Sequence, residues 1–199
     1  MKIHTIIFLV SLFALIFACS NSTAKINEQP VPSRNPLPDK SLMEILDSLK
    51  IDRDLISIHI DKSQFILQLL ADSIVLKTYP IVLGSNPVDD KRREGDKCTP
   101  EGNFELRALF PHKKWSKFLW IDYPTTDSWK KFNAAKENGE IPASSNIGGE
   151  IGIHGVPDGN DAIIDQQNNW TLGCISMKNK DVDEIYEVVK VGTKVVILK

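Results

Sequence analysis

Only three cysteines occur in 199 residues, too few for a disulfide framework. If Cys19 serves another purpose, Cys98 and Cys174 can form one bridge or stay free thiols. Charge of one sign is equally scarce. The formal net charge is −2, and neither half carries a long run of like charge, so no electrostatic footprint for a polyphosphate backbone exists and nucleic acid is not an expected partner. The glycine-rich patterns that cradle nucleotide phosphates are absent. So are H-E-x-x-H and any clustered His/Cys spacing, which leaves His59, His112 and His154 without support as a metal set; no cofactor and no metal are expected. No apolar run reaches the roughly 20 residues of a membrane-spanning helix, and no internal repeat is present.

What is present begins with a leader. Lys2 and His4 precede "IIFLVSLFALIFA", which ends at Cys19 and turns polar in "SNSTAK", the pattern of a secretory signal peptide. Leu15, Ile16, Phe17 and Ala18 lead directly into Cys19, which resembles a bacterial lipoprotein signal; cleavage near Ala18 without lipidation is the alternative. The expected organisation is a signal peptide over 1–18, a lipid anchor on Cys19 and a proline-rich tether over 19–39. An amphipathic helix over 40–54 then precedes one domain over 55–199. The protein is therefore expected to be exported, on the periplasmic side of the cell envelope, and held to a membrane by the lipid.

Ser41 and Glu44 have capping-box spacing, with Leu42, Ile45, Leu46 and Leu49 on one helical face. From Leu55 the period changes. "LISIHID", "QFILQLL" and "IVLKTYPIVLG" are short branched-apolar runs parted by turn signals, an antiparallel meander. A charged loop returns to a strand at Phe104, "KFLWIDYP" gives another strand, and "TDSWKKFNAAKENG" a helix closed by Gly139. "GEIGIHG" forms a strand ending at His154. A helix in "DVDEIYEVVKVG" places Val182, Ile185, Tyr186 and Val189 on one face, and "KVVIL" is the last strand. The expected fold class is mainly β, sandwich-like or barrel-like, with a few peripheral α-helices.

The chemistry concentrates in "IGIHG" and "WTLGCISM". A thiol with a reference pKa of about 8.5 needs a neighbouring imidazole to form its thiolate at neutral pH. Small residues beside it let a substrate backbone approach, and N–H groups around Gly173 and Cys174 are candidate donors to an oxyanion. Free cysteine is otherwise among the most buried residue types. The joint pattern decides between these readings. "IGIHG" followed by "WTLGCISM", with "CTPEGNFEL" and "LWIDYPTT" in the same order, resembles the L,D-transpeptidase catalytic domain (YkuD-type) over roughly Leu55 to Lys199.

That resemblance implies Cys174 as nucleophile, His154 as general base and later acid, Gly173 and Cys174 on the oxyanion side, and Thr171 as a brace for the loop. It also suggests Gly155, Trp170 and Ser176 as substrate contacts. The implied activity is an acyl transfer on peptidoglycan stem peptides. A thioester forms on Cys174 with loss of the terminal D-alanine, and an amine of a neighbouring stem or a wall-attached protein resolves it. Two departures stand out: Leu172 where the family often has His, and Ser176 where it commonly has Arg, whose bidentate charge a hydroxyl cannot replace. They leave two alternatives, a wall hydrolase (carboxypeptidase or amidase) on the same fold and an inactive wall-binding module. Cys98 is read as a structural thiol.

Overall fold

The computed structural model describes residues 40–199; the leader, Cys19 and the tether lie outside these described residues. The first helix, α1 (Leu42–Leu49), is closed by a reciprocal cap: the Ser41 hydroxyl accepts the Glu44 N–H, and the Glu44 carboxylate accepts the Ser41 N–H at 2.7 Å. Leu42, Ile45 and Leu46 are buried. Leu49, expected on the same face, is 53% exposed, because Lys50 in the left-handed region ends the helix there.

Strands β1 (Ile56–Asp61), β2 (Ile66–Ala71) and β3 (Ile74–Pro80) form the expected antiparallel meander. Strict alternation along β1 buries Ile56, Ile58 and Ile60, the period-2 signature of a strand with one face on a core. The C-terminal strand β8 (Lys194–Leu198) lies parallel to β1 and separates the meander from the other half of the sheet. Strand β4 (Gly102–His112) belongs to both halves. Its first residues pair with β8, and the stretch from Leu106 pairs with β5 (Ser116–Ile121). Beyond β5 come β6 (Gly152–His154), antiparallel to it, and β7 (Ile175–Ser176), parallel to β6. The result is one curled, mixed eight-stranded sheet in the order β3-β2-β1-β8-β4-β5-β6-β7.

Few helices decorate it: α2 (Thr126–Glu137), the single turn α3 (Ala162–Asp165) inside the stretch expected to be a polar loop, and α4 (Asn179–Tyr186). The last begins two residues earlier and ends sooner than expected. Val182 and Ile185 are buried as expected, but beyond the helix Val188 is the residue at 2% exposure while Val189 is partly buried. Glu184 of α4 ties three elements together. Its carboxylate accepts from Leu42 N at 2.8 Å, from Lys77 Nζ at 2.8 Å and from Tyr79 Oη at 2.8 Å, so burial costs are met by charge-assisted hydrogen bonds.

Candidate active site

The register of two short strands places the thiol and the imidazole. Ile153 pairs with Ile175 and His154 with Ser176. Ile153 and Ile175 are wholly buried in the core, so alternation puts Gly152, His154, Cys174 and Ser176 on the opposite face. Cys174 stands beside Gly152, and His154 is the next side chain along that face. Diagonal neighbours of this kind lie roughly 7–8 Å apart at Cα, within reach of an imidazole. Gly152 is required here. A Cβ at that position would sit 2.4 Å from the Phe118 ring, so any side chain would displace the aromatic that backs the histidine.

His154 is 1% exposed and packed in rings. Trp115 stacks on it at 4.3 Å, Phe118 lies parallel at 5.9 Å, and Trp170 meets it edge-on at 5.7 Å. Its Nδ1 is 2.7 Å from the Gly155 carbonyl oxygen. A carbonyl carries no proton, so Nδ1 is the protonated nitrogen and Nε2 keeps its lone pair. The group that fixes the tautomer is thus a backbone atom, which no side-chain pattern reveals.

Burial pushes the His154 pKa down to about 4, helped by the His112 charge and opposed by the Gly155 hydrogen bond. Burial likewise pushes the Cys174 thiol up to about 11, against the Gly152 N–H and Lys91, while Glu150 adds to the rise. The thiol donates to the Glu150 carbonyl at 3.4 Å. At neutral pH the resting pair is therefore a neutral thiol beside a neutral imidazole rather than an ion pair. Alkylation of Cys174 by iodoacetamide is expected to accelerate about tenfold per pH unit between pH 7 and 10, since only the thiolate reacts. A rate flat across that range, followed by peptide mapping, would show a preformed thiolate instead.

The turn that carries Cys174 is braced from within. The Thr171 hydroxyl donates to Cys174 O at 2.7 Å and accepts Gly173 N–H at 3.1 Å. The Gly173 N–H, expected on the oxyanion side, is thereby committed to a hydroxyl, which leaves the N–H groups of Leu172 and Cys174 as the turn's candidate donors. Gly173 itself adopts φ +137, and a Cβ there would lie 2.7 Å from the Cys98 carbonyl. Thr171→Val removes both hydrogen bonds, at about 1 kcal/mol each. It is expected to lower the melting temperature by several degrees and turnover about tenfold, with Thr171→Ser restoring both; unchanged rates in Thr171→Val would remove the brace from the site.

Gly155 and Ser176, expected to touch substrate, are buried instead. Ser176 is 0% exposed and its hydroxyl donates to Gly155 O at 3.2 Å, the same oxygen that holds His154. With no surface, Ser176 supports the imidazole from behind. Trp170 does border the imidazole, and Leu172, at 75% exposure, projects from the turn next to Cys174. Trp115, which by residue type reads as a core tryptophan, and Phe118 both belong to the site; the signal for them was their position in a hairpin that ends beside His154. His112 stacks on Trp115 at 4.3 Å, on the ring that also covers His154.

Cys98 is 2% exposed and both it and Cys174 are free thiols. It belongs to the β3–β4 loop, which Lys62 pins from below through Asp89 O, Thr99 O and Glu101 Oε1. A polar cavity of about 500 Å³ under this loop, lined by Asn86, Asp89, Arg93, Asp96 and Glu140, touches Cys98 but neither Cys174 nor His154.

Residues 56–197 match the family model described as the L,D-transpeptidase catalytic domain. No curated protein matches. Among solved structures, the helical cell shape determining protein Pgp2 of Campylobacter jejuni aligns with TM-score 0.53 and 23% identity, covering 73% of this chain and 48% of that one. A variant of the same protein gives 0.54 at 23% identity, covering 73% and 47%. Bd1075 of Bdellovibrio bacteriovorus aligns with TM-score 0.51 and 18% identity, covering 72% and 48%. At these identities the likeness is one of fold, and the chain spans about half the length of these proteins.

Proposed function

The chain belongs to the L,D-transpeptidase catalytic-domain family, and from that premise we propose that it transfers peptidoglycan stem peptides through a thioester on Cys174. The observation that carries the reading is the register that sets Cys174 diagonal to His154 on one sheet face, together with the Gly155 carbonyl that leaves Nε2 free.

In the first half-reaction Cys174 Sγ attacks the stem carbonyl while its proton passes to His154 Nε2. The C–N bond breaks, His154 returns that proton to the departing amine, and a thioester remains. In the second, an incoming amine loses its proton to His154 as its nitrogen attacks the thioester, and the proton then returns to the departing thiolate. The Cys174 N–H meets the oxyanion in both halves. The aromatic rings keep water from the imidazole, which favours an amine seated by its own contacts over bulk water. The export expected from the leader would bring the domain to this substrate.

Intact mass spectrometry with a purified stem tetrapeptide tests the proposal. The protein is expected to gain the mass of the acyl fragment on Cys174, to lose it on adding an amine acceptor, and to yield the joined product. Release only as the free acid would make it a hydrolase. No adduct on folded protein that still binds wall fragments would make it a binding module.

A further inference from the structure

Ser176 is wholly buried and uncharged, and three basic side chains near the site are held in ion pairs. Lys91 pairs with Asp96 at 2.9 Å, Lys117 with Asp183 at 3.4 Å and Lys178 with Asp165 at 2.6 Å. Arg107 is different. It is exposed, makes no hydrogen bond or ion pair among the described residues, and lies over the Trp120 ring at 4.6 Å.

Its position follows from a break in register. Leu106 pairs with Ile121 but Ala108 pairs with Trp120, so Arg107 is the extra residue of a β-bulge, a device that re-aims a side chain. Trp120 in turn pairs with Gly152, the residue beside Cys174. The row Ala108, Trp120, Gly152, Cys174 therefore runs across the catalytic face. At the backbone Trp120 is two strand spacings from Cys174, about 10 Å. The buried side-chain polar atoms without a partner among the described residues are the indole Nε1 of Trp120 and that of Trp170. One ring borders Gly152 and the other borders His154, and unpaired buried donors are uncommon enough to call for a reason.

We propose that Arg107, seated on Trp120, recognises a carboxylate of the peptide whose carbonyl reacts at Cys174. This rests on the function proposed above and adds its specificity: an acidic peptide with a side-chain carboxylate set apart from the scissile carbonyl. Arg suits this task because its planar fork stacks on an aromatic face while its edge binds a carboxylate bidentately. The ring holds the guanidinium in place before substrate arrives, which lowers the ordering cost of binding.

The test separates recognition from catalysis. In Cys174→Ala protein, which cannot turn over, calorimetry compares a stem tetrapeptide bearing free side-chain carboxylates with the same peptide amidated at those groups. The free form is expected to bind at least about tenfold tighter, Arg107→Gln to collapse the ratio to near one, and Arg107→Lys to keep part of it, as for a lost charge-assisted contact. Circular dichroism confirms the fold of each variant. A ratio that survives Arg107→Gln, or is absent from the start, overturns the proposal. Acylation of the wild-type protein, measured separately, reports on the enzyme reading: no acylation with the Arg107-dependent ratio intact would sink that reading and leave recognition standing.

Discussion

Cys174→Ala, His154→Gln and the double variant are expected to lower kcat/KM by the same factor, roughly 10⁴ or more, rather than by multiplying losses. The reason is the resting state of the pair. With the thiol pushed up to about 11 and the imidazole down to about 4, neither group reacts alone at neutral pH. Attack needs sulfur-to-nitrogen proton transfer in the same step. Removing the base strands a protonated thiol, and removing the thiol leaves the base nothing to deprotonate. Rates of stem-peptide turnover for the four proteins measure the coupling. Additive losses would mean that His154 acts on something other than the Cys174 proton.

Acid should cost this protein stability well before Asp96 and Glu184 titrate. The folded His154 has a pKa of about 4 against the reference 6.5, chiefly because burial disfavours its charge. Above pH 6.5 neither state binds the proton, so the group has no effect. Between 6.5 and 4 the unfolded chain takes up a proton that the folded protein refuses, and stability falls by about 3 kcal/mol across that window. Below 4 this contribution is flat. Asp96 and Glu184, whose hydrogen bonds outweigh a burial that pushes upward, stay charged below the usual carboxylate range; their loss comes at lower pH. Urea unfolding of wild type and His154→Gln at pH 7 and pH 4.5 separates the two. The slope should shrink in the variant, and an equal slope in both would place the acid sensitivity elsewhere.

Much of this was legible in the residues. The meander followed from alternating branched residues over 56–80, α1 from Ser41 and Glu44, and the thiol and imidazole from two short motifs. What escaped has a common physical cause: it depends on which atoms meet across strands. That Gly155 O holds the His154 tautomer, that Gly173 N–H is spent on Thr171, and that Ser176 is interior all follow from backbone geometry. Trp115 and Phe118 looked like ordinary core aromatics, since a tryptophan's residue type says nothing of the ring it will stack on. Arg107 was invisible because a bulge, one residue out of register, is a property of two strands paired and not of either alone.

Strand β8 follows every other strand in sequence yet sits in the middle of the sheet, pairing Ser57 with Lys194 on one side and Phe104 with Val195 on the other. Loop-closure entropy must be spent before this contact gives anything back, and pairings this distant in sequence slow folding towards milliseconds to seconds. Beside β8, Val82 pairs with Ser176 and Gly84 with Thr171, so the segment that follows the meander also bonds directly to the one that carries Cys174. A chain that stops short of β8 should therefore lose the ladder that joins β1 to β4 and keep these short bridges as its link across the sheet.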